Sequence, residues 1–189
     1  MLSYFFINGI TMYRLVATPF LLILALDDQL EWFRWLICIS FVTDAIDGPL
    51  TRKYKVTSVF GSRLDSIADD VTVLVATLGL WIIYPDFILQ VWETIACVFL
   101  LFGIQAAAAL VAYKKVTSFH TYLAKIAAVA QAIFFVLIFF KTGLEHKAFY
   151  AAAIITGLQL IEETILVILL SEWSANVKGV YWVLKRKIK

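Results

Sequence analysis

Charged residues are scarce in this sequence, and so are the residues that usually join domains. Of its 189 residues only 16% are charged, against about a quarter in a typical soluble domain, while 62% are hydrophobic. There are three prolines and eight glycines, with no Ser/Gly-rich linker and no low-complexity run. The composition excludes an ordinary soluble protein and predicts an integral membrane protein with a single domain over residues 1–189.

Cysteine is nearly absent as well. The two cysteines, Cys38 and Cys97, both fall inside long apolar stretches. A thiol there behaves as a small hydrophobic group, so the pair indicates neither a disulfide framework nor a metal site. A cleavable leader is not indicated, because no Lys or Arg precedes the first apolar residues and Asn8, Thr11 and Arg14 interrupt them.

Long apolar stretches, in contrast, are abundant. A helix needs about 20 residues to cross the hydrocarbon core of a bilayer, and six stretches are long enough. The period-two alternation of a membrane barrel is missing, and helices satisfy their own backbone in lipid, so the sequence predicts an all-α bundle of six transmembrane helices. The predicted spans are 4–26, 31–50, 65–84, 88–113, 119–141 and 148–171, followed by a basic amphipathic tail at 172–189.

The distribution of basic residues predicts the orientation of these spans, because Lys and Arg are retained on the cytoplasmic side. With the N-terminus inside, only Arg34, Lys141 and Lys147 of the 16 basic residues fall on the outer side. Both termini are therefore expected in the cytoplasm, in a multi-pass protein of a bacterial or archaeal-type membrane. Such a basic surface suits anionic lipid headgroups and phosphates of the bilayer, and no nucleic acid partner is expected.

The remaining charge is concentrated in residues 44–70, DAIDGPLTRKYKVTSVFGSRLDSIADD. Asp44 and Asp47 are three residues apart, and Asp65 and Asp69 are four apart, so each pair shares a helix face. Carboxylates at membrane depth are costly unless a positive partner compensates them, although one or two could be solvated at helix ends. Oxygen ligands without His or Cys suit Mg²⁺, Mn²⁺ or Ca²⁺, and paired metals of this kind assist displacement at phosphorus.

Small and basic residues accompany the carboxylates. Gly48 and Gly61 leave room for close approach by a ligand, although small residues also serve helix packing. Four basic residues are available for phosphate oxygens, although a basic cytoplasmic loop is common in membrane proteins: Arg52, Lys53, Lys55 and Arg63.

The segment DAIDGPLTR, eight further residues and GSRLDSIAD resemble the signature D-x-x-D-G-x-x-A-R-x8-G-x3-D-x3-D of the CDP-alcohol phosphatidyltransferases. Every spacing matches over 26 positions. The resemblance implies a transferase of phospholipid biosynthesis that moves a phosphatidyl group from CDP-diacylglycerol to a small alcohol and releases CMP. It also implies a homodimer of six-helix protomers with the active site at the cytoplasmic side.

The same resemblance implies roles for the motif residues. Asp44, Asp47 and Asp65 would be ligands of two divalent cations, Mg²⁺ or Mn²⁺. Asp69 would take the proton from the acceptor hydroxyl while also contacting a metal. The residues implied to line the CDP-lipid site are Gly48, Thr51, Arg52 and Gly61.

Three residues depart from or adjoin the family pattern. Thr51 stands where the family has Ala, and adds a hydroxyl at a tight nucleotide contact. Pro49 removes a helical hydrogen bond to the Ala45 carbonyl and favours a kink. Asp70 follows the motif directly, and since one residue is about 100° around a helix, its side chain is expected to point away from the metals.

Two other segments bear on the acceptor. NGITMYRLVATP at residues 8–19 resembles the N-x-x-T-x-x-R-x4-P pattern of phosphatidylglycerophosphate synthases, which implies that Arg14 lies near an acceptor phosphate; a snorkelling Arg is the alternative. SFHTYLAKIAAVAQ at residues 118–131 resembles the fifth helix of glycerophosphate-type members. Lys125, one to two turns inside that span, is expected to bind acceptor phosphate or to pair with the carboxylates.

The acceptor stays open at this stage. Ser66 is similar to members that use serine or inositol, whereas Arg14 and Lys125 favour glycerol 3-phosphate. Glu162 and Glu163 lie near the middle of the last span, and at least one should face the interior.

Buried carboxylates also serve ion pathways, so a cation-coupled transporter is the alternative of another class, beside an inactive structural relative. Transporter sites usually lie near the midplane on broken helices within repeats. These carboxylates are predicted at the ends of two consecutive helices, which favours the transferase.

Overall fold

The structure is a computed structural model that describes residues 2–53, 59–117, 119–175 and 177–187. Within the described helices, the side chains of residues 2–11, 44–45, 47–53, 59–63, 65–66 and 187 are not described. The regular elements of these ranges are seven helices with no strand: α1 (Leu2–Leu26), α2 (Leu30–Lys53), α3 (Val59–Ile83), α4 (Pro85–Tyr113), α5 (Tyr122–Phe139), α6 (Glu145–Leu169) and α7 (Val180–Lys187).

The helices correspond in order to the six predicted spans and the tail, with shifted ends. α2 continues to Lys53 and α3 begins at Val59, so the described motif residues outside the predicted spans, 51–53 and 59–64, are helical as well. α5 begins at Tyr122, three residues later than predicted. The amphipathic tail is helical only from Val180 in the part that the structure describes.

Three of these helices are long and apolar enough to cross a membrane, namely α4, α5 and α6. The described part of α1 adds a shorter apolar helix, Met12–Leu26. α2 and α3 carry the charged motif residues, which interrupt their apolar runs. An all-helical chain is thus confirmed, while the full count of six spans stays a prediction.

The chain divides into two compact units, residues 1–91 and 92–189. In the first unit α1 packs against both α2 and α3. Its buried positions combine large apolar side chains such as Leu21, Phe33 and Ile37 with alanines such as Ala68 and Ala76, all at most 1% exposed. Small residues at helix contacts let the backbones approach closely.

A close contact between α3 and α2 lies at Gly79 of α3. A Cβ added there would lie 2.4 Å from Cζ of the fully buried Phe33 on α2. The absence of a side chain at Gly79 therefore creates the space that the Phe33 ring fills.

In the second unit α5 packs against α6. Thr121 caps the N-terminus of α5 by accepting a hydrogen bond from the Ala124 N–H at 3.0 Å. Phe134 of α5 contacts Phe149 of α6 edge to face, with 5.4 Å between the ring centroids. The cap thus fixes the start of α5, and the two rings pack near its end, beside the start of α6.

Candidate active site

The motif aspartates lie on two helices of the first unit. Asp44 and Asp47 are on α2, and Asp65 and Asp69 are on α3, so both pairs have the helical spacing that the sequence indicates. α2 contacts α3 within this unit. The side chains of Asp44, Asp47 and Asp65 lie outside the described residues, and their convergence on a metal remains a prediction.

The residues predicted to line the CDP-lipid site also have helical backbones. Gly48, Thr51 and Arg52 are on α2 and Gly61 is on α3, and their surroundings lie outside the described part of the structure. α2 continues past Pro49 to Lys53. The nucleotide site is thus predicted on the same helix ends as the aspartates.

Asp69 has a described side chain, and it forms an ion pair between helices. Arg14 Nη2 of α1 donates to Asp69 Oδ1 of α3. The Arg14 side chain is 1% exposed, whereas that of Asp69 is 37% exposed. A buried guanidinium is costly unless it is paired, so Asp69 compensates Arg14 while remaining open to a ligand.

This placement corrects one alternative for Arg14. A snorkelling side chain would end in water or headgroups, but Arg14 is 2% exposed and turns toward Asp69 instead. A positive partner for the carboxylates was expected from the sequence. For Asp69 the protein itself supplies such a partner.

Two buried threonine hydroxyls lie beside the ion pair, one on each helix. Thr18 Oγ1 donates to the Arg14 carbonyl at 2.9 Å, and Thr72 Oγ1 donates to the Ala68 carbonyl at 2.6 Å. Both hydroxyls are buried and satisfied on their own helices. Asp69 lies between the buried Ala68 and the exposed Asp70, at the edge of the packed face of α3.

The four-carboxylate metal site cannot be traced through described side chains. Among those side chains, no three His, Cys, Asp or Glu residues come together in a way that could hold a metal ion. Three of the four motif aspartates are outside that set. The donor chemistry and the helical spacing therefore carry the metal prediction.

Lys125 lies close to the start of α5. Because α5 begins at Tyr122, Lys125 is in the first helical turn and its side chain is exposed. Its Nζ lies 5.3 Å from the centroid of the Tyr122 ring. Lys125 is thus nearer to the start of its helix than the predicted one to two turns, and both its depth in the membrane and its role in acceptor binding stay predictions.

The sequence predicted a buried carboxylate in the second unit, but it did not predict the hydrogen-bond donors that surround it. Glu163 of α6 is 8% exposed, which confirms that one of the adjacent glutamates faces the interior. Its oxygens accept hydrogen bonds from Gln159 Nε2 at 2.7 Å, Gln105 Nε2 at 3.1 Å and Thr117 Oγ1 at 3.2 Å. Amide side chains inside the apolar runs of α4 and α6 were the sequence signal for this cluster.

The membrane-length helices and the helical aspartate motif indicate the class first: a helical membrane protein that carries an aspartate motif on two of its helices. The profile of the CDP-alcohol phosphatidyltransferase family matches residues 6–170, which includes the whole motif. The chain belongs to this family. No solved structure matches it.

Three relatives share one name, CDP-diacylglycerol–glycerol-3-phosphate 3-phosphatidyltransferase. The protein from Cereibacter sphaeroides is 33% identical over 151 residues, which cover 74% of this chain and 65% of the relative. The protein from Wigglesworthia glossinidia brevipalpis is 29% identical over 96 residues, 46% of this chain and 53% of the relative. The protein from Yersinia pestis is 41% identical over 71 residues, which cover 35% of this chain and 38% of the relative. The chain thus spans less than two thirds of the length of these relatives.

Proposed function

We propose that the protein transfers a phosphatidyl group from CDP-diacylglycerol to glycerol 3-phosphate, with release of CMP, in phospholipid biosynthesis. The observation that carries the proposal is the family match over residues 6–170, which contains the complete aspartate motif on α2 and α3. The match runs through both compact units, which supports treating them as one functional domain.

The proposed metal ligands are Asp44, Asp47, Asp65 and Asp69, holding two divalent cations, Mg²⁺ or Mn²⁺. The donor set fits, because these ions prefer carboxylate oxygens, and Asp69 keeps 37% of its side chain exposed. When bound, such cations neutralise the diphosphate and stabilise the leaving group.

Asp69 is proposed to position the acceptor hydroxyl and to take its proton. The freed alcohol oxygen attacks the phosphorus that bears the diacylglycerol. The bond from this phosphorus to the CMP oxygen breaks, and CMP leaves with the bonding electron pair. Arg14 holds the carboxylate from its buried side, so that Asp69 keeps one orientation through the step.

The acceptor is proposed from the names of the relatives. Each of the three is named for transfer to glycerol 3-phosphate. Arg14, buried and paired with Asp69, is proposed to act on the acceptor through that carboxylate. Binding of the acceptor phosphate by the exposed Lys125 stays a prediction from the family resemblance. Ser66 is similar to the residue that serine- or inositol-type members have at this position, and it therefore favours another alcohol as the acceptor.

The proposed membrane arrangement has six spans. α1, α2 and α3 have 25, 24 and 25 residues, and at about 1.5 Å per residue each is longer than the roughly 30 Å of a hydrocarbon core. We place both termini and the active site on the cytoplasmic side and expect a homodimer.

An acceptor competition tests the choice of alcohol. The purified chain receives CDP-diacylglycerol, Mg²⁺ and an equal mixture of glycerol 3-phosphate, serine, inositol and inositol phosphate, and mass spectrometry identifies the lipid product. Phosphatidylglycerophosphate should predominate. A product carrying serine or inositol would overturn the acceptor but keep the reaction class.

A further inference from the structure

α7 is fixed against the end of the second unit where α4 ends and α5 begins. The Val180 N–H at the start of α7 donates to Glu162 Oε1 at 3.2 Å, and the Tyr122 N–H donates to the Lys178 carbonyl at 3.3 Å. One residue of α7, Val183, lies in a buried cluster with Ala109, Phe119, Leu166 and Val167. The helix is thus anchored by its backbone and by its apolar side.

The residue directly before α7, Gly179, is also closely packed. A Cβ added to Gly179 would lie 2.8 Å from Glu162 Oε1, and the φ angle of Gly179 is +144°. Other residues rarely adopt such a backbone. The chain therefore enters α7 directly beside the α6 carboxylate that receives its first N–H.

Glu162, which anchors the start of α7, lies within α6 and not after its last residue. Glu162 is two helical turns before Leu169, the last residue of α6, which is about 10 Å at a rise of about 1.5 Å per residue. Interfacial amphipathic helices bury their apolar face about 5–10 Å into the boundary between headgroups and acyl chains. If α6 spans the membrane, α7 lies at that depth.

The other side of α7 carries aromatic and basic side chains. Tyr181 is 64% exposed and Trp182 is 40% exposed. The Lys185 Nζ lies 5.9 Å from the Tyr181 ring centroid, and the Trp182 ring lies 5.2 Å from that of Tyr122 on α5. We call this surface the α7 patch; it consists of Tyr122, Tyr181, Trp182, Lys185 and Arg186.

We propose that the α7 patch lies in the membrane interface and binds anionic lipid headgroups. Tyr and Trp favour this boundary because one end of each ring is apolar and the other is polar. The proposal rests on α6 spanning the membrane and is independent of the transferase reaction.

The charge of this surface favours anionic lipid headgroups over a second copy of the chain as its binding partner. The same end of the unit exposes three further basic residues, Lys114, Lys115 and Lys178. The sequence places a single acidic residue, Glu172, in the segments 113–125 and 170–189 that form this end. Two such basic surfaces would repel each other, whereas each Lys or Arg near an anionic membrane surface is attracted to it.

Quenching of Trp182 by brominated lipids tests the proposal. The full chain is reconstituted in phosphatidylcholine vesicles that contain about one-fifth phosphatidylglycerol, and the bromine label is placed on one lipid or the other at equal mole fraction. Subtracting the signal of Trp182→Phe isolates the Trp182 contribution. Brominated phosphatidylglycerol should quench Trp182 about threefold more strongly than brominated phosphatidylcholine.

Removing charge separates binding from mere proximity. Lys185→Gln combined with Arg186→Gln should lower the preference to below about twofold, while quenching by brominated phosphatidylcholine and the helical circular dichroism remain. The matched control, Lys141→Gln combined with Lys147→Gln at the other end of the α5–α6 pair, should keep the preference. Equal quenching by both lipids in the unaltered chain would overturn anionic recognition. Absence of quenching by either would overturn the interfacial position.

Discussion

At the scale of single residues, the candidate site depends on how Asp69 is held. Its carboxylate is paired with a guanidinium that is almost completely buried, yet 37% of its own side chain stays exposed. Its neighbour Asp70 is also exposed but lies one position further around α3. Two adjacent carboxylates thus have different environments, and the proposed mechanism uses one of them.

Asp69→Asn should lower kcat by at least about 100-fold, because an amide cannot take the proton of the acceptor hydroxyl. Binding of CDP-diacylglycerol and of the metal should be largely retained, because the other three aspartates and the new amide oxygen can still coordinate the metal. Asp44→Asn, in contrast, should weaken metal binding and turnover together. Turnover by radiolabelled CMP release and binding by calorimetry in detergent separate the two effects.

Asp70→Asn is the matched control for the Asp69 variant, since it removes a carboxylate of the same helix turn. Its turnover should remain within about twofold of the unaltered chain, as for most surface substitutions. Normal turnover by Asp69→Asn would show that the proposed base is wrong.

The Arg14–Asp69 ion pair should also stabilise the packing of α1 on α3. In a double-mutant cycle with Arg14→Gln and Asp69→Asn, the coupling energy should be about 1–3 kcal/mol, because one partner is withdrawn from solvent. The free energies of unfolding are obtained by denaturant titration in micelles.

The exposed pair of Arg34 with Glu31, three residues apart on α2, provides the comparison. Its cycle should give less than about 0.5 kcal/mol, since solvent screens such a pair. Equal coupling energies in both cycles would argue against a special role of the buried guanidinium.

At the scale of helices, close packing determines where small residues are required. α3 lies close to α2 at Gly79, where the ring of the buried Phe33 occupies the space of a side chain. Gly103 of α4 has no atom within 4 Å of the Cβ position. Packing therefore requires a glycine at position 79 but not at position 103.

Gly79→Ala should lower the free energy of unfolding by about 1–3 kcal/mol, because the Phe33 ring must move within a packed core. Gly103→Ala should leave it unchanged or raise it by up to about 1 kcal/mol, since Ala favours the helix. Denaturant titration of both variants in the same micelles checks the difference. A Gly79→Ala variant as stable as Gly103→Ala would contradict the tight α2–α3 contact.

At the scale of the whole molecule, hydrophobicity predicted the helices and their order. It did so because lipid-length apolar runs are a strong local signal. The ends were less predictable: α2 continues to Lys53 and α3 begins at Val59, although the apolar runs predicted an end at 50 and a start at 65. α5 begins later because the Thr121 cap, and not the apolar run, sets its first turn.

Contacts between residues far apart in the sequence could not be predicted from it. Arg14 and Asp69 are 55 positions apart, and neither helical spacing nor charge indicates that they meet. The cluster around Glu163 likewise draws Gln105 from 58 positions away. The motif itself, with its spacing of three and four residues, was readable because its chemistry is local to two helices.

The central claim is that this chain uses its aspartate motif for metal-dependent transfer from CDP-diacylglycerol. The most direct measurement is CMP release by the purified chain with CDP-diacylglycerol and glycerol 3-phosphate, before and after a chelator removes divalent cations. We predict that CMP and the phosphatidyl product form in equal amounts, that the chelator stops both, and that Mg²⁺ or Mn²⁺ restores both. A folded protein that releases no CMP with either metal and any alcohol, or that releases it equally well without metal, would contradict this account.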